Sequence, residues 1–208
     1  MKFATRVLAL AITIMLLLGC QSRKSKSDIK IVFTQDTLDV GYTYWWPQSG
    51  PFIGNCGDEL SLVFVGILTE LKKPNKNAGP LYTVQEGVIK IEKVFKIKEM
   101  GVNSYANQQF VRTDCFHDLG LTVGDTVLVS CYDFEDTYSI PGGKSILKVN
   151  GFEDPIITSL RNYIDSDQNP VNIKRDSLLW RTFELDKDLK QIITCHEYLN
   201  DSLNVTED

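Results

Sequence analysis

Two short runs place sulfur beside imidazole: Cys115-Phe116-His117-Asp118 and Cys195-His196-Glu197. They hold both histidines of the chain and two of its five cysteines. Two thiolates and two imidazoles would complete a tetrahedral zinc site, and one Cys–His pair is the unit of thiolate nucleophilic catalysis. The pattern suits neither chemistry. The spacing lacks the Cys-x-x-Cys knuckle of structural zinc sites. The flanking Asp and Glu also oppose the electropositive setting that a reactive thiolate needs. No Gly-x-Ser-x-Gly elbow, His-Glu-x-x-His helix or phosphate-cradling loop occurs. The expectation is no catalytic residue, no metal and no cofactor. An enzyme or metal-binding protein that uses His117 and His196 is the alternative.

Two further groups are candidates for binding. Asp133, Glu135 and Asp136 form a carboxylate cluster, but a calcium loop would need more oxygen ligands at regular spacing and a glycine within it. They are expected to form a solvated acidic loop open to a partner. Residues 42–58 (YTYWWPQSGPFIGNCGD) gather Tyr42, Tyr44, Trp45, Trp46 and Phe52 among Gly, Pro and Asn, which predicts an ordered loop. Those rings are either an exposed platform for a glycan or protein partner, or a plug in the open end of a barrel.

The N-terminus sets the compartment in which these residues work. Lys2 and Arg6 precede an uncharged apolar run, VLALAITIMLLL, that ends at Gly19-Cys20. Twelve residues of helix span about 18 Å, short of the roughly 30 Å of bilayer hydrocarbon, so residues 1–19 read as an export signal. Leu17-Leu18-Gly19-Cys20 looks like a bacterial lipoprotein box, which implies cleavage before Cys20 and acylation of that residue. A two-chain or three-chain anchor holds stably where one chain does not. The protein is therefore expected in the bacterial cell envelope, tied by lipid to a membrane, the outer one above all. Cleavage would leave 189 of the 208 residues and, by removing Lys2 and Arg6, move the net charge from −5 to −7. An acidic chain of this length fits one well-cored domain and argues against nucleic acid. In an oxidising compartment the four remaining cysteines, Cys56, Cys115, Cys131 and Cys195, read as two disulfides, and spacing does not choose among the three connectivities.

The elements that would position these groups are mostly strands. Residues 20–40 are expected to be the lipidated cysteine and a flexible tether, with 29–33 either a short strand or the tether's end. Residues 60–71 (LSLVFVGILTEL) form an apolar, β-branched run with Gly66 at a bulge or bend. In 82–98 the alternation of Ile89 and Ile91 with Lys90 and Glu92 breaks phase at Val94-Phe95, which marks a second curved strand. Val127, Val129 and Cys131 alternate with Leu128, Ser130 and Tyr132 after a Val-Gly-Asp-Thr turn. Pro141-Gly142-Gly143-Lys144 reads as a hairpin turn before a strand at 145–149. Asp154-Pro155 opens a helix, with Asp154 as its cap and Ile156, Ile157, Leu160, Tyr163 and Ile164 on one face. A later helix at 186–199 aligns Leu189, Ile192, Ile193 and His196, and 200–208 is an acidic tail.

About five curved strands followed by helices is the outline of a mainly β fold, a five-stranded OB-fold (Greek-key) barrel with C-terminal helices. The barrel and its first helix would occupy 41–165, with a helical extension and tail at 166–208. Cys56, then Leu62-Val63-Phe64-Val65-Gly66, then Ile89-Lys90-Ile91-Glu92-Lys93-Val94 resembles the tissue-inhibitor-of-metalloproteinases-like (netrin-module-like) family. So do Cys115, the run Val123-Gly124-Asp125-Thr126-Val127-Leu128-Val129, and the stretch to Leu160. The resemblance implies an OB-fold binding module and a bridge from Cys56 to Cys115, leaving Cys131 to Cys195. The pairing of Cys56 with Cys195 and Cys115 with Cys131 stays open beside it. The family's animal inhibitors coordinate a protease zinc through the free amine of an N-terminal Cys-x-Cys. Here Cys56 lies inside the chain and position 58 is Asp58, so that mechanism does not carry over.

Overall fold

The computed structural model of the chain describes residues 29–42, 48–77 and 83–204. Its strands are β1 (Thr34–Asp39), β2 (Gly41–Tyr42), β3 (Leu60–Leu71), β4 (Gly87–Ile97), β5 (Gln108–Thr113), β6 (Thr126–Phe134), β7 (Thr137–Ile140) and β8 (Ile146–Val149). Helix α1 (Pro155–Asp165), a 3-10 stretch (Pro170–Asp176), α2 (Ser177–Arg181) and α3 (Asp186–Asn204) follow. The strands form one curled mixed sheet in the order β1-β5-β4-β3-β6-β7-β2, with β8 also paired to β6. The mainly β class with C-terminal helices is therefore present, and among the described residues the sheet has eight strands.

The apolar run of β3 follows from its place. It is antiparallel to β4 on one edge and to β6 on the other, and both of its faces are dry from Leu60 to Gly66. Leu62, Phe64 and Leu68 point into the interior of the curl, with Ile89, Ile91 and Val94 of β4 and Val127, Val129 and Cys131 of β6. Leu60, Val63 and Val65 point the other way, into a second core with Phe95, Leu128 and Tyr132 beneath the helices. The register of β3 on β4 shifts between Val63 and Phe64 and again between Val65 and Gly66, which bends the strand. Gly66 sits where a side chain would run into the carbonyl oxygen of Lys90, so the bend requires the glycine.

Helix α1 starts as its sequence dictates. Asp154 Oδ1 accepts the Ile156 amide at 3.0 Å, Pro155 occupies the first turn, and Ile156, Ile157, Leu160 and Tyr163 are buried against the sheet. Trp180 of α2 is fully buried, edge-on to Phe52 at 4.6 Å, and its indole donates to Ser159 Oγ at 2.9 Å. Helix α3 adds Leu189, Ile192 and Ile193 and continues to Asn204, past the end expected for it.

Three further expectations differ from the structure. The sheet begins inside the segment read as tether: β1 starts at Thr34, and with Val40 the only residue between them β1 joins β5 while β2 joins β7. Residues 141–145 are a corner and not a hairpin turn, because β7 and β8 both pair with β6 as two parts of one bent edge. The pairings implied by the resemblance do not form. Cys56 is bonded to Cys195 with Cα atoms 5.1 Å apart, while Cys115 and Cys131 are free and buried. Cys131 shares the inward parity of Val127 and Val129, and Cys115 lies in the same interior core, so the curled sheet separates both from Cys195 on α3. Of the pairing left open beside them, Cys56 with Cys195 forms and Cys115 with Cys131 does not, so among the described residues one disulfide stands where two were expected.

That bridge spans 139 residues and fixes the last helix to the entrance of β3. Replacing Cys195 with Ser should lower stability by roughly 3–5 kcal/mol on a chain-entropy account. Urea unfolding of the oxidised chain against the variant measures this; equal midpoints would mean that the bridge does not constrain the unfolded chain.

Candidate functional site

Two hollows lie between the outward face of β4 and α1 with the residues that follow it. The first, about 300 Å³, has Val65, Phe95 and Ile157 as its floor and Phe152, Thr158, Glu92 and Glu153 on its walls. Its floor exists because the phase break in β4 turns Val94 inward and Phe95 outward. Lys93 Nζ and Arg161 Cζ lie 5.8 and 5.5 Å from the centre of the Phe95 ring, so two cations cover an aromatic face. Phe152 is 44% exposed at the rim. Sequence reasoning passed over this groove; the break in alternation at Val94-Phe95 is the signal that points to it.

The second hollow, about 350 Å³, lies further along α1 beside the disulfide and is lined by Gly57, Glu59, Lys96, Ile164, Asp167, Gln168 and His196. Asp167 and Gln168 both have positive φ, 55° and 58°. The strain has a structural cause. It aims the Gln168 amide at the entrance of β3, where Oε1 accepts from the Leu60 amide at 3.0 Å and from Lys96 Nζ at 2.8 Å, and Nε2 donates to the Asp58 carbonyl at 3.0 Å.

The acidic cluster is a hairpin turn between β6 and β7. Glu135 and Asp136 have φ of 51° and 61°, the left-handed pair that a two-residue hairpin of this kind requires. Asp133 Oδ1 accepts the Asp136 amide at 3.1 Å, and Asp136 Oδ1 accepts the Gly101 amide at 2.9 Å, which ties the turn to the loop after β4. Asp133 also meets Lys98 Nζ at 3.2 Å, and Lys98 reaches Glu59 at 3.4 Å. The Lys98 ammonium is raised, first by its bond to Asp133. Burial pushes Glu59 up, but its bonds and attraction to Lys96 and Lys98 outweigh that and leave it lowered. Two of the three carboxylates thus work inside the fold.

The histidines are not brought together. His117 follows Cys115, which bridges to Gln85 just before β4, near the C-terminal end of β3; its Nε2 is 3.3 Å from Asp118. His196 lies by the disulfide at the opposite end of β3. Burial pushes the Cys115 thiol up to about 12, and Cys131 is raised further by burial and then by the neighbouring Cys115. Both are therefore neutral thiols, without the lowered pKa of a nucleophile. Among the described residues no group of three or more His, Cys, Asp or Glu is placed to hold a metal ion, and no helix is long and apolar enough to cross a membrane. Cys20, Tyr44, Trp45 and Trp46 lie outside the described residues, and Tyr42 is described only as the last residue of β2. No family model matches the chain, and no curated protein matches it significantly.

Two outcomes follow for this face. Gln168→Ala should cost about 1–3 kcal/mol, because it leaves the Leu60 amide and the Asp58 carbonyl without their partner; chemical denaturation checks the size. Glu59 is held below its ordinary range of about 4.5. Its contribution is therefore present above that value and is lost as pH falls through the lowered one. Lys98→Met should make the loss of stability between about pH 5 and 3 shallower, by less than about 1 kcal/mol, and 1 M salt should shrink the difference. A variant with an unchanged acid slope would remove Lys98 from this account.

Proposed function

We propose that the chain is a lipid-anchored module of the bacterial cell envelope. It would present loops on an OB-fold barrel of the inhibitor-of-metalloproteinases-like kind to a protein or glycan partner, with no catalysis of its own. The observation that carries the reading is the connectivity of the central strands. β6 leaves its sequence neighbour β5 and crosses to the far edge of β3, giving β5-β4-β3-β6, the crossed order of a Greek key. Helix α1 then packs outside, where the resemblance puts the first helix after the barrel. The separation of His117 from His196 and the neutral buried thiols also favour binding over chemistry. The chain departs from a five-stranded barrel in two respects. Its N-terminal segment reaches both sheet edges through β1 and β2, and the disulfide joins β3's entrance to the last helix.

The surfaces assigned to the partner are the aromatic segment Tyr42, Tyr44, Trp45 and Trp46 and the outer side of the hairpin at Glu135. The phenylalanine groove between β4 and α1 is a further candidate. Anchoring is tested by growing bacteria that express the full chain on an azide-bearing fatty acid. The wild type should carry the label and sediment with membranes, and Cys20→Ser should do neither. An unlabelled, soluble wild type would sink the anchor. Binding is tested by replacing Trp45 and Trp46 with Ala. Loss of a glycan-array or partner signal with unchanged unfolding supports the platform, and loss of folding refutes it.

A further inference from the structure

The segment 29–42 holds the two edges of the sheet with very little of itself. β1 pairs in parallel with β5 through Leu38 opposite Val111 and Asp39 opposite Arg112, and its register slips between Thr34 and Thr37. The Val40 amide continues the ladder to the Arg112 carbonyl at 2.9 Å, and β2 then meets β7 through Gly41 and Tyr42. Of β1 only Leu38 is buried, and the rest of the strand is exposed. Leu38 and Val40 are the two buried pegs, set two residues apart so that both face the interior core, with Ile29, Ile31 and Phe33 partly buried against it. The polar contacts are at the surface: Asp39 with Arg112 at 3.1 Å, Gln35 with Gln109 at 2.9 Å, and the Asp39 carbonyl with Asn103 at 2.8 Å. By contrast β3 is paired on both edges and buried on both faces. The core beneath the helices contains no residue of 29–42.

We propose that residues 29–42 form a detachable clasp seated in a strand-accepting groove between β5 and β7. It opens while β3, β4, β6 and the helix layer stay folded. Opening exposes two buried aliphatic side chains and the partly buried Ile29, Ile31 and Phe33 and breaks the ladders to β5 and β7, a small part of the whole fold, and local openings precede global unfolding in native proteins. The groove it leaves presents unpaired backbone on the edges of β5 and β7 and an apolar lining, and so takes an extended peptide with aliphatic residues at alternate positions.

The molecule carries a reporter for each layer. Cys115 and Cys131 are free thiols in the interior core that contains Leu38 and Val40. The Trp180 indole proton is bonded to Ser159 in the outer core. The experiment treats the full, oxidised chain with a thiol reagent under native conditions. Mass spectrometry follows modification at Cys115 and Cys131, and NMR follows exchange of the Trp180 indole proton. Leu38→Ala should speed thiol modification about thirtyfold or more with indole exchange unchanged, and Val40→Ala should do the same to a smaller degree. Excess peptide of sequence 29–42 should slow modification of the Leu38→Ala chain again, and a scrambled peptide should not. If thiol modification and indole exchange rise in the same proportion, the segment is part of one cooperative unit and the clasp is refuted. If Leu38→Ala does not fold, Val40→Ala decides between the same two outcomes. A native peptide no better than the scrambled one refutes the accepting groove.

Discussion

The structure depends on one strand, β3, having no side open to water from Leu60 to Gly66. β3 gives its backbone to β4 and β6 on either edge and its side chains to a core on either face. A strand so placed must be apolar at consecutive positions, because both parities are buried. Of its polar residues, Thr69 Oγ1 donates to the Val88 carbonyl at 3.0 Å, whereas the buried Ser61 hydroxyl has no hydrogen-bond partner among the described residues. It must also bend, since a flat strand of 12 residues cannot follow a sheet curled this tightly, and the register shifts and Gly66 supply the bend. The two cores then differ in kind. The inner one is filled mainly by strand side chains, with Met100, Tyr105, Phe116 and Leu121 from the loops, and the outer one needs the helices and Phe52 to cover it.

Much of this was legible where a residue's role depends on its neighbours in sequence. Asp154-Pro155 states its cap chemistry locally, and β3 and β6 announce themselves by apolar density. Features that depend on which face an element presents were not legible. β1, TQDTLD, buries one residue of six and so has no period-2 signal to read. The disulfide was hidden for a related reason. Whether Cys131 faces inward with Val129 or outward with Tyr132 decides its partners, and sequence alternation gives the parity without saying which face the helices will cover. The corner at 141–145 was misread because a Pro-Gly-Gly turn looks the same whether the next strand pairs with the last one or, as here, with β6.

The candidate site was half legible. The carboxylates of the acidic hairpin were visible, but not that Asp133 and Asp136 serve the turn and the loop after β4, because those partners are some 35 residues away in sequence. The phenylalanine groove was visible only as an anomaly in β4. A break in alternation that bends a strand also turns one large residue out of the interior, and Phe95 became the floor of a hollow once α1 arrived. Such breaks therefore point to surfaces as well as to curvature.

Stability in this fold must be graded, and the gradient follows from the same geometry. Side chains of β3 are buried eight positions out of 12, while β1 contributes one. The disulfide reinforces the well-buried end of that scale, since it ties the approach to β3 to α3, whose Leu189, Ile192 and Ile193 lie in the outer core. Loops carried by β3, β4, α1 and α3 are accordingly held in a fixed arrangement, as a binding surface requires. The least buried strand lies at the other end. A force entering through residues before Thr34 meets β1 first, before any residue of the core under the helices. If the chain is held to a membrane by its N-terminus, the load and the least buried strand coincide, and the rigid face with its loops is mechanically separated from the anchor by the clasp.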